Sequence, residues 1–295
     1  MSGSSFVPSN LNVRLRLSPV VLLVTASVSC APRPSLPGGP AAVRESTTHL
    51  TVHGSRLTLH LADPGPSPGA PRPLVVYGSG DGGWFGAAVG MFRTMAAAGY
   101  PVVGVSSRAL LKIEQAGHAP LSGRQIAESY RAILDAGRQA LALPADAPAV
   151  LTGWSRGASL AVLAAAEPDT DRAVTGIVAI GLPRDEHLDL EPGDDGDPEP
   201  PSDAPVSAAP QNHGAAHELL MYPLLEHVAP RRTAIVQASG DRYLPAAEAR
   251  RLFGSDSTVK RFFEVRAGNH RFGGGKDALR RALLDALAWA GEARQ

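Results

Sequence analysis

Ser155 stands between two glycines, in Gly153-Trp154-Ser155-Arg156-Gly157, where an apolar stretch from Ala149 to Thr152 gives way to an alanine-rich one. Small residues two before and two after a serine are what a sharp strand-to-helix turn requires, because a side chain at either place would collide with the strand or the helix. Such a turn lifts the hydroxyl clear of a sheet. A serine hydroxyl is nonetheless a poor nucleophile without a base beside it. The chemistry therefore needs two further groups, a base and a residue to orient it.

Both are found downstream. After the apolar stretch Thr233 to Ala238 the chain reads Ser239-Gly240-Asp241-Arg242-Tyr243-Leu244-Pro245, and after Arg261 to Val265 it reads Gly268-Asn269-His270. Serine, acid and histidine, each just past a strand, follow the chain order of the α/β-hydrolase triad, whereas chymotrypsin-like and subtilisin-like enzymes use other orders. In that arrangement His270 takes the Ser155 proton during attack and returns it to the leaving group, while Asp241 orients the imidazole. Taken singly, Asp241 also suits a turn and His270 a loop ahead of Gly273-Gly274-Gly275. Their joint placement at three strand ends is what argues for a site.

Upstream, Leu74-Val75-Val76-Tyr77 runs into Gly78-Ser79-Gly80-Asp81-Gly82-Gly83-Trp84. In an α/β-hydrolase the loop at this place donates one backbone N–H to an oxyanion hole, and the residue after the nucleophile donates the other. These positions are Ser79 and Arg156. Asp81 and Arg156 then flank the same hole and are expected to pair. Glycine loops before helices also bind phosphate, but no Gly-x-x-x-x-Gly-Lys-Ser/Thr or Gly-x-Gly-x-x-Gly string fits this one.

The elements that position these groups alternate between strand and helix patterns. Two alternating segments, Thr48 to Val52 and Leu57 to Leu61, enclose His53-Gly54-Ser55 as a hairpin. Helices are predicted over Ala87 to Ala98, Arg124 to Leu143, Arg156 to Ala166, Ala246 to Phe253 and Lys276 to Ala290, the second with Ile126, Tyr130, Ile133, Leu134 and Leu141 on one face. The expected fold is α/β, of α/β-hydrolase type: a mostly parallel sheet with helices on both faces and an N-terminal β-hairpin, in one domain over residues 43–295.

One segment interrupts the alternation. About residues 183–216, after the strand Val174 to Ile180, the chain is rich in proline and in acid, including Asp185, Glu186, Asp189, Glu191 and Asp203, with Arg184 opposing them. The expectation is a disordered acidic insertion, either solvated and inert or a lid. The apolar stripe after it, Leu219, Leu220, Tyr222, Leu224, Leu225 and Val228, suits a pocket roof or ordinary core packing.

The stretches Gly78 to Trp84, Ala98 to Ser106, Gly153 to Gly157 and Gly268 to Phe272 resemble the VirJ-like bacterial virulence proteins, which include the AcvB group. The resemblance spans roughly residues 73 to 272. Arg108-Ala109-Leu110-Leu111 replaces the family's aromatic-rich stretch, and Arg156 the aromatic residue that usually follows the nucleophile. What the resemblance implies is a serine hydrolase outside the cytoplasm, acting on an ester such as aminoacyl-phosphatidylglycerol.

The 295 residues carry no formal net charge, so nothing in the composition argues for nucleic acid, whose binding needs a basic face. Arg14 and Arg16 precede an apolar run, Val20 to Val28, and the only cysteine, Cys30. Residues 1–30 thus read as a signal peptide, of lipoprotein type if Cys30 is acylated. Simple secretion and a retained anchor are the alternatives. Residues 31–42 form a proline- and glycine-rich tether. The expected location is periplasmic or cell-surface, with the membrane reached through a lipid anchor. Partners are expected to be a small-molecule or lipid ester, and no cofactor is needed. His213 and His217 lack a metal-site pattern, and alternation separates His49, His53 and His60, so no metal is expected. The reading from a different class is a non-catalytic binding or assembly factor on a hydrolase fold, which Arg156 beside the nucleophile favours.

Overall fold

Two-residue alternation in the first segments produces strands β1 (Arg44–Val52) and β2 (Ser55–Asp63), paired antiparallel. His53 and Gly54 turn the chain between them with φ of 47° and 76°, the left-handed conformation a two-residue hairpin demands at both positions. The computed structural model describes residues 42–66, 71–117, 121–188 and 218–292. Cys30, the tether before residue 42, and His213 and His217 lie outside the described residues.

The remaining elements follow in chain order: β3 (Leu74–Gly78), α1 (Ala87–Ala97), β4 (Val102–Val105), α2 (Ser107–Gly117), α3 (Gly123–Ala140), β5 (Ala149–Trp154), α4 (Arg156–Ala166), β6 (Val174–Ile180), β7 (Asp185–His187), β8 (Glu218–Leu220), α5 (Met221–Val228), β9 (Arg232–Ala238), α6 (Ala246–Phe253), β10 (Lys260–Val265) and α7 (Lys276–Gly291). Among the described residues the main sheet has eight strands in the order β1-β2-β4-β3-β5-β6-β9-β10. It is parallel from β4 to β10, with β2 antiparallel to both its neighbours.

Alternate residues of β3 face opposite ways and head two separate cores. Leu74 and Val76 pack with Ile126, Tyr130, Ile133 and Leu134 of α3 and with the alanine-rich α4. Val75 and Tyr77 pack with Met91, Phe92 and Met95 of α1 and with Leu283 and Leu287 of α7. A capping box starts α3: Ser122 accepts from the Gln125 N–H while the Gln125 side chain accepts from the Ser122 N–H, satisfying two helix-end donors at once.

The structure departs from expectation at the acidic segment. Its first residues are not a disordered insertion, because β7 pairs antiparallel with β8, placing Glu186 opposite Leu219. Glu186 is buried. Residues 189–217 lie outside the described residues. The apolar stripe after them is core and not a roof: Met221, Tyr222, Leu225 and Val228 are buried with α4. Leu220 alone of these points outward, at 53% exposure.

Candidate active site

Ser155 occupies the hinge between β5 and α4 with φ 54° and ψ −122°, a conformation a side chain adopts only under constraint. The constraint comes from the two glycines. A Cβ on Gly153 would fall within the Gly157 backbone, and one on Gly157 would fall within the carbonyls of Gly78 and Ser79. The elbow is therefore pressed directly against the glycine loop, and the Ser155 N–H is tied to the Ile180 carbonyl at 2.8 Å.

Asp241 and His270 are brought together at the ends of β9 and β10. His270 Nδ1 lies 2.7 Å from Asp241 Oδ2. The carboxylate is fully enclosed and is held from several sides: its Oδ1 accepts from the Tyr243 N–H at 2.9 Å, and its Oδ2 from Gln237 Nε2 at 3.0 Å. Gln237 is itself anchored on the Leu244 carbonyl at 2.7 Å. Asp241 thus has little freedom to follow any partner but the imidazole. Asn269 shapes the histidine loop by accepting from the N–H groups of Arg271 and Gly273.

The imidazole sits in a slot that the sequence does not advertise. Trp154 stacks near it with ring centroids 5.9 Å apart, and Tyr243 meets it edge-on at 5.0 Å. The third wall is Gly181, with φ 58°. A Cβ there would approach His270 Cε1 to 2.9 Å. His270 Nε2 is buried and has no hydrogen-bond partner among the described residues. Ser155 and His270 are thus neighbours through Trp154, Ile180 and Gly181, but their own hydrogen bond is not closed.

The oxyanion assignment needs one correction. The Ser79 N–H donates to the Val105 carbonyl at 3.0 Å, continuing the pairing of β3 with β4 past Gly78. It cannot also serve an oxyanion. The next N–H of the loop, that of Gly80, donates to no described residue, and a Cβ on Gly80 would lie 3.6 Å from Ser155 Cβ. Arg156 begins α4, where a helix offers its first N–H groups no acceptor of its own.

Asp81 and Arg156 do pair, with Arg156 Nε 2.7 Å from Asp81 Oδ1. The same Nε donates to Glu186 Oε1 at 3.1 Å. Burial pushes the Glu186 carboxyl up to about 7, an effect that Arg156 opposes and Asp81 reinforces. The three histidines near the hairpin go separate ways: His49 meets Thr58, His53 meets the buried Glu114, and His60 stacks on Trp84.

No family model and no curated protein matches the chain. Solved structures do match it. A dienelactone hydrolase from Anabaena variabilis aligns with a TM-score of 0.54 at 17% identity, over 84% of this chain and 96% of its own. The esterase domain of a Rhodothermus marinus protein aligns at 0.52 and 17% identity, over 84% and 98%. A serine hydrolase without a lid from Xanthomonas campestris aligns at 0.52 and 14% identity, over 89% and 100%. With the strand order and the elbow, these likenesses establish that the chain has the α/β-hydrolase fold.

Proposed function

We propose that this protein is a serine hydrolase of carboxylic esters. The observation that carries the reading is the His270–Asp241 contact, beside an elbow that holds Ser155 at positive φ. In the reaction, Ser155 Oγ bonds to the ester carbonyl carbon as its proton passes to His270 Nε2. The carbonyl oxygen becomes an oxyanion, received by the N–H groups of Gly80 and Arg156. Collapse breaks the bond to the leaving alkoxide, which takes the proton from His270 and leaves an acyl-serine. Water then repeats the sequence in reverse and releases the acid. Arg156 does not favour the binding reading, since its side chain is drawn aside to Asp81 and Glu186.

The finer reading is an exported enzyme, tethered through Cys30, that acts on aminoacyl-phosphatidylglycerol. It rests on the resemblance to VirJ-like proteins and on the arginine-led apolar run before Cys30. The acid-rich sequence that begins at Asp185 motivates a cationic head group, so lysyl-phosphatidylglycerol should be cleaved faster than the alanyl lipid, and less so at high salt.

Residues 43–295, treated with a fluorophosphonate probe, should be labelled at Ser155 alone. Ser155→Ala should lower ester turnover by roughly four to six orders of magnitude. Labelling elsewhere, or unchanged turnover in that variant, would refute the mechanism.

A further inference from the structure

In this fold the residue after the nucleophile serves the oxyanion hole through its backbone N–H. Here its side chain links three parts of the molecule. Arg156 Nε contacts Asp81 of the glycine loop and Glu186 of β7, so the two suppliers of oxyanion N–H groups and the root of the acidic segment meet at one guanidinium. The surroundings are uneven. The Asp81 side chain is 60% exposed, whereas Glu186 is 6% exposed and Arg156 15%. A buried carboxyl next to one cation that already has a second carboxylate has no charge left to balance its own.

Among the described residues, the other groups around Glu186 do not supply that balance. Ser159, one turn along α4 and wholly buried, bears on the same carboxyl but is not in hydrogen-bonding geometry. Asp185 and His187 flank it on its own strand, and β8 places Leu219 across from it. We propose that Glu186 is a positioning residue whose proton sets the charge beside the oxyanion hole. With the proton on, Arg156, Asp81 and Glu186 form a neutral cluster. With the proton off, the cluster carries one net negative charge close to where the oxyanion must form, and acyl transfer slows.

Burial and the Asp81 charge hold the Glu186 proton on to about 7, within the range where a serine hydrolase works. The inference rests on the hydrolase reading above. Activity should fall at alkaline pH as Glu186 ionises. A unit charge on the order of 8 Å from an oxyanion, in an effective dielectric near 20, accounts for a fall of roughly thirtyfold.

The test is the pH profile of kcat/KM for p-nitrophenyl butyrate in the wild type, Glu186→Gln and Asp81→Asn, with fluorophosphonate labelling of Ser155 measured in parallel. In Glu186→Gln the alkaline limb should disappear. In Asp81→Asn it should move to lower pH, since the charge that keeps the proton on is gone. The second variant is at an exposed position and decides the matter if the first fails to fold. A limb unchanged in both variants, or activity lowered equally at every pH, would overturn the proposal while leaving the hydrolase reading intact. Absence of both turnover and labelling in all three proteins would refute the hydrolase reading and this inference with it.

Discussion

Replacing Gly181 by alanine separates backbone strain from disturbance of the imidazole. The added Cβ would meet His270 Cε1 at 2.9 Å, Nδ1 at 3.4 Å and Trp154 Cδ1 at 3.5 Å. Carbon atoms rest at about 3.5 Å or more, so the ring must give by roughly 0.5 Å. Trp154 is buried and Asp241 holds the Nδ1 side, while Tyr243 on the remaining side is 62% exposed and yields. The ring therefore moves outward. A 1 Å misplacement of a catalytic group costs about a hundredfold, so half of that should lower kcat roughly tenfold with KM little changed. Separately, an alanine at φ 58° costs about 1 kcal/mol, or a fall in Tm of roughly 3 °C for a domain of this size. Gly54→Ala is the control, since Gly54 has φ 76° and nothing within 4 Å of its Cβ position. Both variants should lose similar Tm by differential scanning fluorimetry, and only Gly181→Ala should lose turnover. If Gly181→Ala keeps its kcat within twofold while its Tm falls as in the control, His270 does not depend on that wall.

Two further outcomes follow from the same geometry. Asp241→Asn should lower kcat by about 10⁴-fold, because the amide cannot accept from His270, Gln237 and Tyr243 as the carboxylate does; single-turnover kinetics would show whether acylation is the slowed step. Stability should fall as pH rises from about 4.5 to about 7, since the folded protein holds the Glu186 proton to about 7 and the unfolded chain releases it near 4.5. The loss attributable to Glu186 is at most about 3 kcal/mol. Urea midpoints at pH 5 and pH 8 should therefore differ less in Glu186→Gln than in the wild type, and an equal difference would remove Glu186 from the account.

What the sequence made legible is what depends on local backbone demands. The elbow needs glycines at fixed offsets from Ser155, and strand β6 and helices α4 and α6 have the bounds their apolar patterns imply. Helix α2 escaped notice although its buried positions, Ser107, Leu110, Leu111 and Glu114, have helical spacing. Two of those four are polar, and Glu114 is inside only because Ser129 and His53 from α3 and the hairpin reach it. Periodicity of apolar residues cannot register a carboxylate whose partners lie elsewhere in the chain.

Glu186 is hidden for a stronger form of the same reason. In a run where nearly every charge is acidic, nothing local marks one carboxylate as different from its neighbours. Its burial comes from the pairing of β7 with β8, some thirty residues on, and its partner Arg156 lies thirty residues back. Asp81 was readable as that arginine's partner because both flank a motif of fixed geometry. The same geometry explains the miss at Ser79, where the ladder to Val105 continues one residue and shifts the open N–H to Gly80. Motifs locate a site to within a residue or so. Which N–H is free and which carboxyl is enclosed are settled by strand register, and register is fixed by the whole sheet.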